Sequence, residues 1–300
     1  MLADRILKNH RALSFDQGPA IPSSGLATAV GKKIMSRLSG KVVVVVGAGS
    51  IAPGWSNGKA CAVQYAREGA AVVCADFVQD RADEVAELIL SEGGRAVAVK
   101  ADATCEADVQ SVVDRAVTEF GRLDVMHNNV GVGGSWGAPD TIAPESWARE
   151  INQTLTTAYL GTRCAVPVMR QHGGGAIINI SSSFAHRFPR RATVGYSTAK
   201  AAVEGMTRAC AAAYGGHNIR VNCIRIGFVE TPIVMTGLEK LSEAEKEQAL
   251  NKTRLKVPLR REHGSAFDVA AAAVFLASDD AKYISGEIMN VDGALDCTPL

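Results

Sequence analysis

The run Lys41-Val42-Val43-Val44-Val45-Val46 constrains this chain more than any other stretch. Five consecutive β-branched residues with no polar alternation describe a strand buried on both faces. Such a strand needs a neighbour on each edge and helices above and below it. The following residues supply them. The run closes on Gly47-Ala48-Gly49-Ser50, a helical pattern covers 58–68 and stops at Gly69, and a second apolar strand, 71–75, ends on Asp76. Further strands read at about 95–99, 123–127, 176–181 and 219–224, with helical stretches at 79–91, 106–119, 145–171 and 195–214 between them. The alternation predicts an α/β fold, a Rossmann-type doubly wound parallel sheet with helices on both faces.

No composition break divides 41–292, so residues 40–300 read as one domain, preceded by an extension, 1–39. The extension carries Arg5, Lys8, Arg11, Lys32, Lys33 and Arg37 with few acids, and Pro19, Pro22 and Gly25 interrupt any pattern. It has no secretory apolar core and reads as an arm. Over all 300 residues the net charge is +1, so no charged field points to nucleic acid or to a membrane surface. No apolar run reaches transmembrane length. The seven Cys are scattered, odd in number and without a Cys-x-x-Cys, as expected of free thiols in the reducing cytoplasm. The His residues show no metal-ligand spacing, and no metal is expected.

Chemistry enters at the strand ends. A Gly-rich turn between a strand and a helix turns backbone N–H groups and the helix N-terminus toward a pyrophosphate. Asp76, closing the second strand, can hydrogen-bond both ribose hydroxyls of an adenosine, and a 2′-phosphate there would meet like charge. That reading favours NAD over NADP. Asp102 follows the third strand and Asn128-Asn129-Val130-Gly131 the fourth. Farther on, Tyr196 and Lys200 stand four apart in a helical stretch and so share a face. An ammonium beside a phenol favours the phenolate and would bring the Tyr toward use as an acid or base near neutral pH.

Together these segments resemble the short-chain dehydrogenase/reductase family over about 39–295. Asn128-Asn129-Val130-Gly131 is similar to the family's Asn-Asn-Ala-Gly, and Asn179-Ile180-Ser181-Ser182 to the strand end that carries its catalytic Ser. Tyr196 and Lys200 match its Tyr-x-x-x-Lys. Arg220-Val221-Asn222, Gly227 and Thr231-Pro232 match the segment that contacts nicotinamide, and Val291-Asp292-Gly293 the last strand. The resemblance implies an NAD-dependent oxidoreductase interconverting a secondary alcohol and a ketone. In it Tyr196 is the acid/base, Lys200 its partner and ribose anchor, and Ser182 the hydrogen-bond donor to the substrate oxygen. The implied cofactor contacts are Gly47, Gly49, Ser50, Asn57, Gly58, Asp76, Phe77, Asp102, Ala103, Asn129, Gly131, Tyr196, Lys200, Gly227, Val229 and Thr231. The family also implies a homotetramer paired through the helices at 145–171 and 195–214.

The chain departs from the family at three places. Val46 replaces the Thr of the first turn, and Gly47 to Gly58 spans eleven positions, five more than the family's six. Asn57 is the expected cap of the helix that follows. The family's catalytic Asn falls on Thr154, Asn152 being two residues early and on another face. The Pro-Gly after the sixth strand is Ile226-Gly227. Register along the strand from Asn179 gives Ser182 as the catalytic Ser, whereas the commonest spacing to Tyr196 gives Ser183.

The insert 228–261 is expected to form a substrate lid, with an amphipathic helix at 238–250. The expected pocket lining is 133–136, 184–188 and Phe228. His186, Arg187, Arg190 and Arg191, beside the catalytic strand, would suit a carboxylate or phosphate on the substrate, with Arg187 the residue to test. Otherwise the pocket is apolar, around Trp136, Phe184 and Phe228. Two other functions stay open. One is a non-catalytic dinucleotide-binding or scaffold protein on the same fold. The other is a nucleotide-sugar epimerase or dehydratase, against which the single short insert stands.

Overall fold

The structure is a computed structural model and describes residues 36–131, 133–189 and 192–298. Seven parallel strands form one sheet in the order β3-β2-β1-β4-β5-β6-β7. They are β1 (Val42–Val46), β2 (Ala71–Asp76), β3 (Arg95–Lys100), β4 (Val125–Asn128), β5 (Gly175–Ser182), β6 (Ile219–Ile226) and β7 (Ile288–Val291). The valine run lies near the centre, buried at every residue and paired with β2 and β4. Alternate valines face opposite layers. Val43 and Val45 pack with α1 (Asn57–Arg67), α2 (Gln79–Ser91) and a late helix, α9 (Ala266–Ala277). Val42, Val44 and Val46 pack with α3 (Glu106–Phe120) and α5 (Thr157–Gln171). The strand order reverses between β1 and β4, and in open α/β sheets the crevice outside such a reversal takes ligands.

Four elements depart from the sequence reading. The stretch 145–171 is broken: α4 (Pro144–Ile151) and α5 are joined by a π-helical segment, Asn152–Thr156, which rotates the faces that follow it. The insert opens with a short helix, α7 (Pro232–Thr236). The amphipathic helix expected at 238–250 is displaced to α8 (Glu243–Arg254), because Ser242 and Glu245 form a reciprocal capping box there. Ser56, not Asn57, caps α1. The Ser56 hydroxyl accepts the Lys59 N–H at 3.1 Å and donates to the Gly49 carbonyl at 2.8 Å, leaving Asn57 as the first helical residue. Lastly, residues 36–39, read as part of the extension, pack with the α/β body: Leu38 is buried, and Arg37 pairs with Asp280. The rest of the extension, with Arg190 and Arg191, lies outside the described residues.

The longest helix, α6 (Val194–Tyr214), lies along β5 and β6 and carries Tyr196 in its first turn. No helix among the described residues is long and apolar enough to cross a membrane.

Candidate active site

A cleft of about 1120 Å³ crosses the carboxyl ends of β1 to β6. At one end the long glycine turn enters it. Gly47 adopts φ +81°, and its carbonyl accepts the Asn129 amide at 2.9 Å. Gly58 packs directly on that carbonyl and leaves no room for a Cβ. Gly58 thus supports the turn from beneath, whereas Gly47, Gly49, Ser50 and Asn57 border the cleft. The five additional residues are anchored sideways. Trp55 meets Phe267 edge-on, and the Lys59 ammonium lies 5.3 Å from the Trp55 ring while pairing with Glu84.

Asp76 comes next along the cleft. One carboxylate oxygen accepts the Gly49 N–H at 3.0 Å and the other the Val78 N–H at 3.1 Å, so the carboxylate is fixed with acceptor capacity to spare. Phe77, two-thirds exposed, and Asp102, Ala103, Asn129 and Gly131 continue the wall. Asp102 is held by Thr104 through both its N–H and its hydroxyl. On the far side stand Gly227, Val229 and Thr231.

These residues fit a dinucleotide. Glycine at two wall positions lets the polar groups of the cleft pack close, since a Cβ on Gly49 would strike the Asp76 carboxylate and one on Gly131 the Lys200 ammonium. The N-terminus of α1 adds N–H groups for a pyrophosphate, and Asp76 supplies acceptors for a ribose.

The reactive end gathers Ser182, Tyr196 and Lys200. Ser182, last in β5, accepts the Phe184 N–H at 3.2 Å and stands beside the Tyr196 hydroxyl. Ser183 is buried just beyond it. The Lys200 ammonium donates to the Ile180 carbonyl at 2.7 Å and lies 5.7 Å from the Tyr196 ring centre. Phe184 meets that ring edge-on, and Gly133 packs on its face. Burial pulls Lys200 down to about 8. Burial also pushes Tyr196 above its ordinary value; Ser182 opposes this and the Glu150 carboxylate reinforces it. The net direction is thus opposite to the expected lowering, with desolvation of the phenolate the largest cause.

Thr154 lies in the π-helical segment, buried, with its hydroxyl unpartnered among the described residues. Its methyl packs toward Gly131 and it does not border the cleft, whereas Asn152 and Gln153 do. The extra residue per turn of the π segment brings these neighbours round to the wall, a rotation that α-helical counting misses. Arg149 also borders the cleft, as do Ile233 and Thr253 from the insert and His263 just after it. None has a motif that could have flagged it.

Of the expected pocket lining, Gly133, Gly134, Trp136, Phe184 and Phe228 border the cleft. Phe188 is 74% exposed outside it. The substrate-anion reading of His186 and Arg187 is overturned. The Arg187 guanidinium donates to the Thr298 carbonyl at 3.0 Å and hydroxyl at 2.9 Å, and His186 lies 3.1 Å from Asp296. Both hold the C-terminal segment against the loop, and neither borders the cleft.

Comparison with known proteins finds relatives over most of the chain. A family model described as enoyl-(acyl carrier protein) reductase matches residues 51–295. Glucose 1-dehydrogenase 2 of Bacillus subtilis (strain 168) is 35% identical over 265 residues, covering 87% of this chain and 97% of its own. The crystal structure of a short-chain dehydrogenase/reductase from Burkholderia xenovorans superposes with a TM-score of 0.83 at 39% identity, covering 88% of this chain and 100% of that one. A 7 alpha-hydroxysteroid dehydrogenase complexed with NADH and 7-oxo glycochenodeoxycholic acid superposes at 0.76 with 32% identity, covering 86% of this chain and 95% of its own.

Proposed function

The chain belongs to the short-chain dehydrogenase/reductase family, and from that premise we propose that it is an NAD-dependent oxidoreductase interconverting a secondary alcohol and a ketone. The observation that carries the proposal is the convergence of Ser182, Tyr196 and Lys200 at one end of a cleft whose other end holds Asp76. A bound nicotinamide would supply the hydride chemistry. The chain's own residues supply the rest. Ser182 donates a hydrogen bond to the substrate oxygen as charge develops there. Tyr196 gives that oxygen a proton in reduction and takes one from it in oxidation. Lys200, cationic at neutral pH and fixed on the Ile180 carbonyl, offsets charge on the phenol oxygen and reaches toward the ribose. Thr154, buried beside Gly131 with its hydroxyl unpartnered among the described residues, takes the place of the family's Asn. Asp76 selects NAD by accepting from both ribose hydroxyls and repelling a 2′-phosphate. The partner is a small alcohol or ketone, and the scattered free cysteines suit the cytoplasm.

The test is turnover of NAD with a panel of secondary alcohols. Tyr196→Phe should lower kcat at least about 100-fold, the usual worth of a positioned proton donor. Asp76→Ala should weaken NAD binding and relax discrimination against NADP. NAD binding without turnover of any panel member would favour the scaffold reading. Faster turnover with NADP than with NAD would overturn the role given to Asp76.

A further inference from the structure

One residue of α8, Thr253, borders the cleft, yet that helix has little packing to hold it there. Of its described residues only Leu250 is buried, so apolar burial gives it a weak grip on the rest of the fold. Its attachment is polar and lies at its C-terminal end. The Arg254 guanidinium donates to the Glu230 carboxylate at 2.8 and 3.1 Å, and Arg254 also pairs with Glu247 of its own helix. The neighbouring Thr253 hydroxyl meets His263 Nε2 at 2.9 Å, and His263 Nδ1 meets the same Glu230 oxygen at 3.0 Å.

His263 is itself fixed. Between α8 and His263, Arg260 and Arg261 both take left-handed backbone, φ +56° and +55°, a bend that non-glycine residues adopt only where their surroundings hold it. The residues that follow are stitched to the segment leaving β6. The Gly264 N–H donates to the Phe228 carbonyl and the Glu230 N–H to the Gly264 carbonyl, both at 3.0 Å. The His263 ring lies 5.8 Å from that of Phe228, and its side chain is 5% exposed. It borders the cleft together with Thr253, Phe228 and Ile233.

The ring's chemistry suits a bridge. A carboxylate only accepts, so Nδ1 carries a hydrogen toward Glu230. Burial raises the Glu230 carboxyl, but the hydrogen bonds from Arg254 and His263 outweigh this and leave it below its usual value, charged at neutral pH. A hydroxyl can donate or accept, so the Thr253 contact survives with or without a proton on Nε2.

We propose that His263 is a positioning residue for substrate binding: by bridging Glu230 and Thr253 it fixes the C-terminal end of α8 to the segment leaving β6, and so sets the wall of the cleft that α8 contributes. The proposal rests on reading the chain as an oxidoreductase whose insert covers its substrate. His263 acts through Glu230 and Thr253 and takes no part in the proton or hydride transfer.

The experiment pairs amide hydrogen exchange of α8, read by mass spectrometry on the full chain with NAD present, with steady-state turnover of the alcohol panel. His263→Phe keeps a ring against Phe228 and removes both nitrogens. It should speed exchange across α8 about 10-fold, the worth of a lost hydrogen bond to a charged group, and leave β1 and β4 unchanged. The KM of the best panel alcohol should rise by more than kcat falls. Thr253→Val breaks the outer bond alone and should move both readouts the same way, and adding it to His263→Phe should bring no further change. His263→Gln, whose amide can donate to Glu230 and accept from Thr253, should return both toward wild type. Unchanged α8 exchange in folded His263→Phe overturns the proposal, as does faster exchange with an unmoved KM. If His263→Phe does not fold, Thr253→Val decides by the same two readouts. If α8 exchange responds as expected but the wild type turns over no panel alcohol, the oxidoreductase reading fails and the latch stands.

Discussion

His127 occupies the middle of the sheet, fully buried in β4. Its Nδ1 shares a hydrogen bond with the Tyr65 hydroxyl at 2.8 Å, and its Nε2 has no partner among the described residues. Burial pushes its pKa down from 6.5 to about 3, because no nearby charge offsets the desolvated imidazolium. Between those values the unfolded chain binds the proton and the native state does not. The stabilisation is therefore complete above about pH 6.5 and is lost as pH falls toward 3. One proton contributes a slope of about 1.4 kcal/mol per pH unit over that window. Urea unfolding at several pH values, compared with a His127→Gln variant that cannot take up the proton, measures the slope. Parallel curves for the two proteins would rule it out.

Among the elements, the C-terminal turn joins a network that ties β5 and β6 to α6. Glu204, one turn past Lys200 on α6, accepts two hydrogen bonds from Arg225 on β6, at 2.8 and 2.6 Å, and one from the Ser181 hydroxyl at 2.8 Å. Arg225 continues to Asp296, which meets His186. The Glu204 and Arg225 side chains are only 9% and 16% exposed. Glu204→Ala leaves the guanidinium only the longer contacts to Asp296 and Asn290 and should cost about 3 kcal/mol of stability by urea denaturation. A loss under about 1 kcal/mol would show that solvent reaches the pair. This network was illegible in the sequence. Arg187 and Thr298 stand 111 positions apart, and no local pattern marks that contact. The strands were legible for the opposite reason. Burial on both faces removes polar residues from Val42–Val46 and Ala71–Ala75, so the signal is local. The α1 cap lay between: Ser56 and Asn57 are both capping types, and only the Gly49 carbonyl, which takes the Ser56 hydroxyl, decides between them. Asp76 and Ser182 stand at strand ends, where position in a parallel sheet flags polar residues, and Tyr196 and Lys200 were flagged by their four-residue spacing on one helix.

At the scale of the whole molecule, the outer face of α6 exposes Ala201, Gly205, Ala209 and Ala212, small residues that let a second helix approach closely. Pairing of α5 and α6 across two-fold axes predicts a homotetramer, the form light scattering should report at micromolar concentration; a monomer there would refute it. The strand order carries a different consequence, one of timing. The five-valine strand has its first partner when Asp76 has been made, yet its second, β4, begins only at Val125. About fifty residues must be translated in between, which at roughly 5–20 residues per second takes several seconds. For that interval the most apolar edge of the chain is unpaired and open to other nascent chains. Slowing translation across residues 77–124 should then lower the yield of active protein while leaving the stability of the finished molecule unchanged.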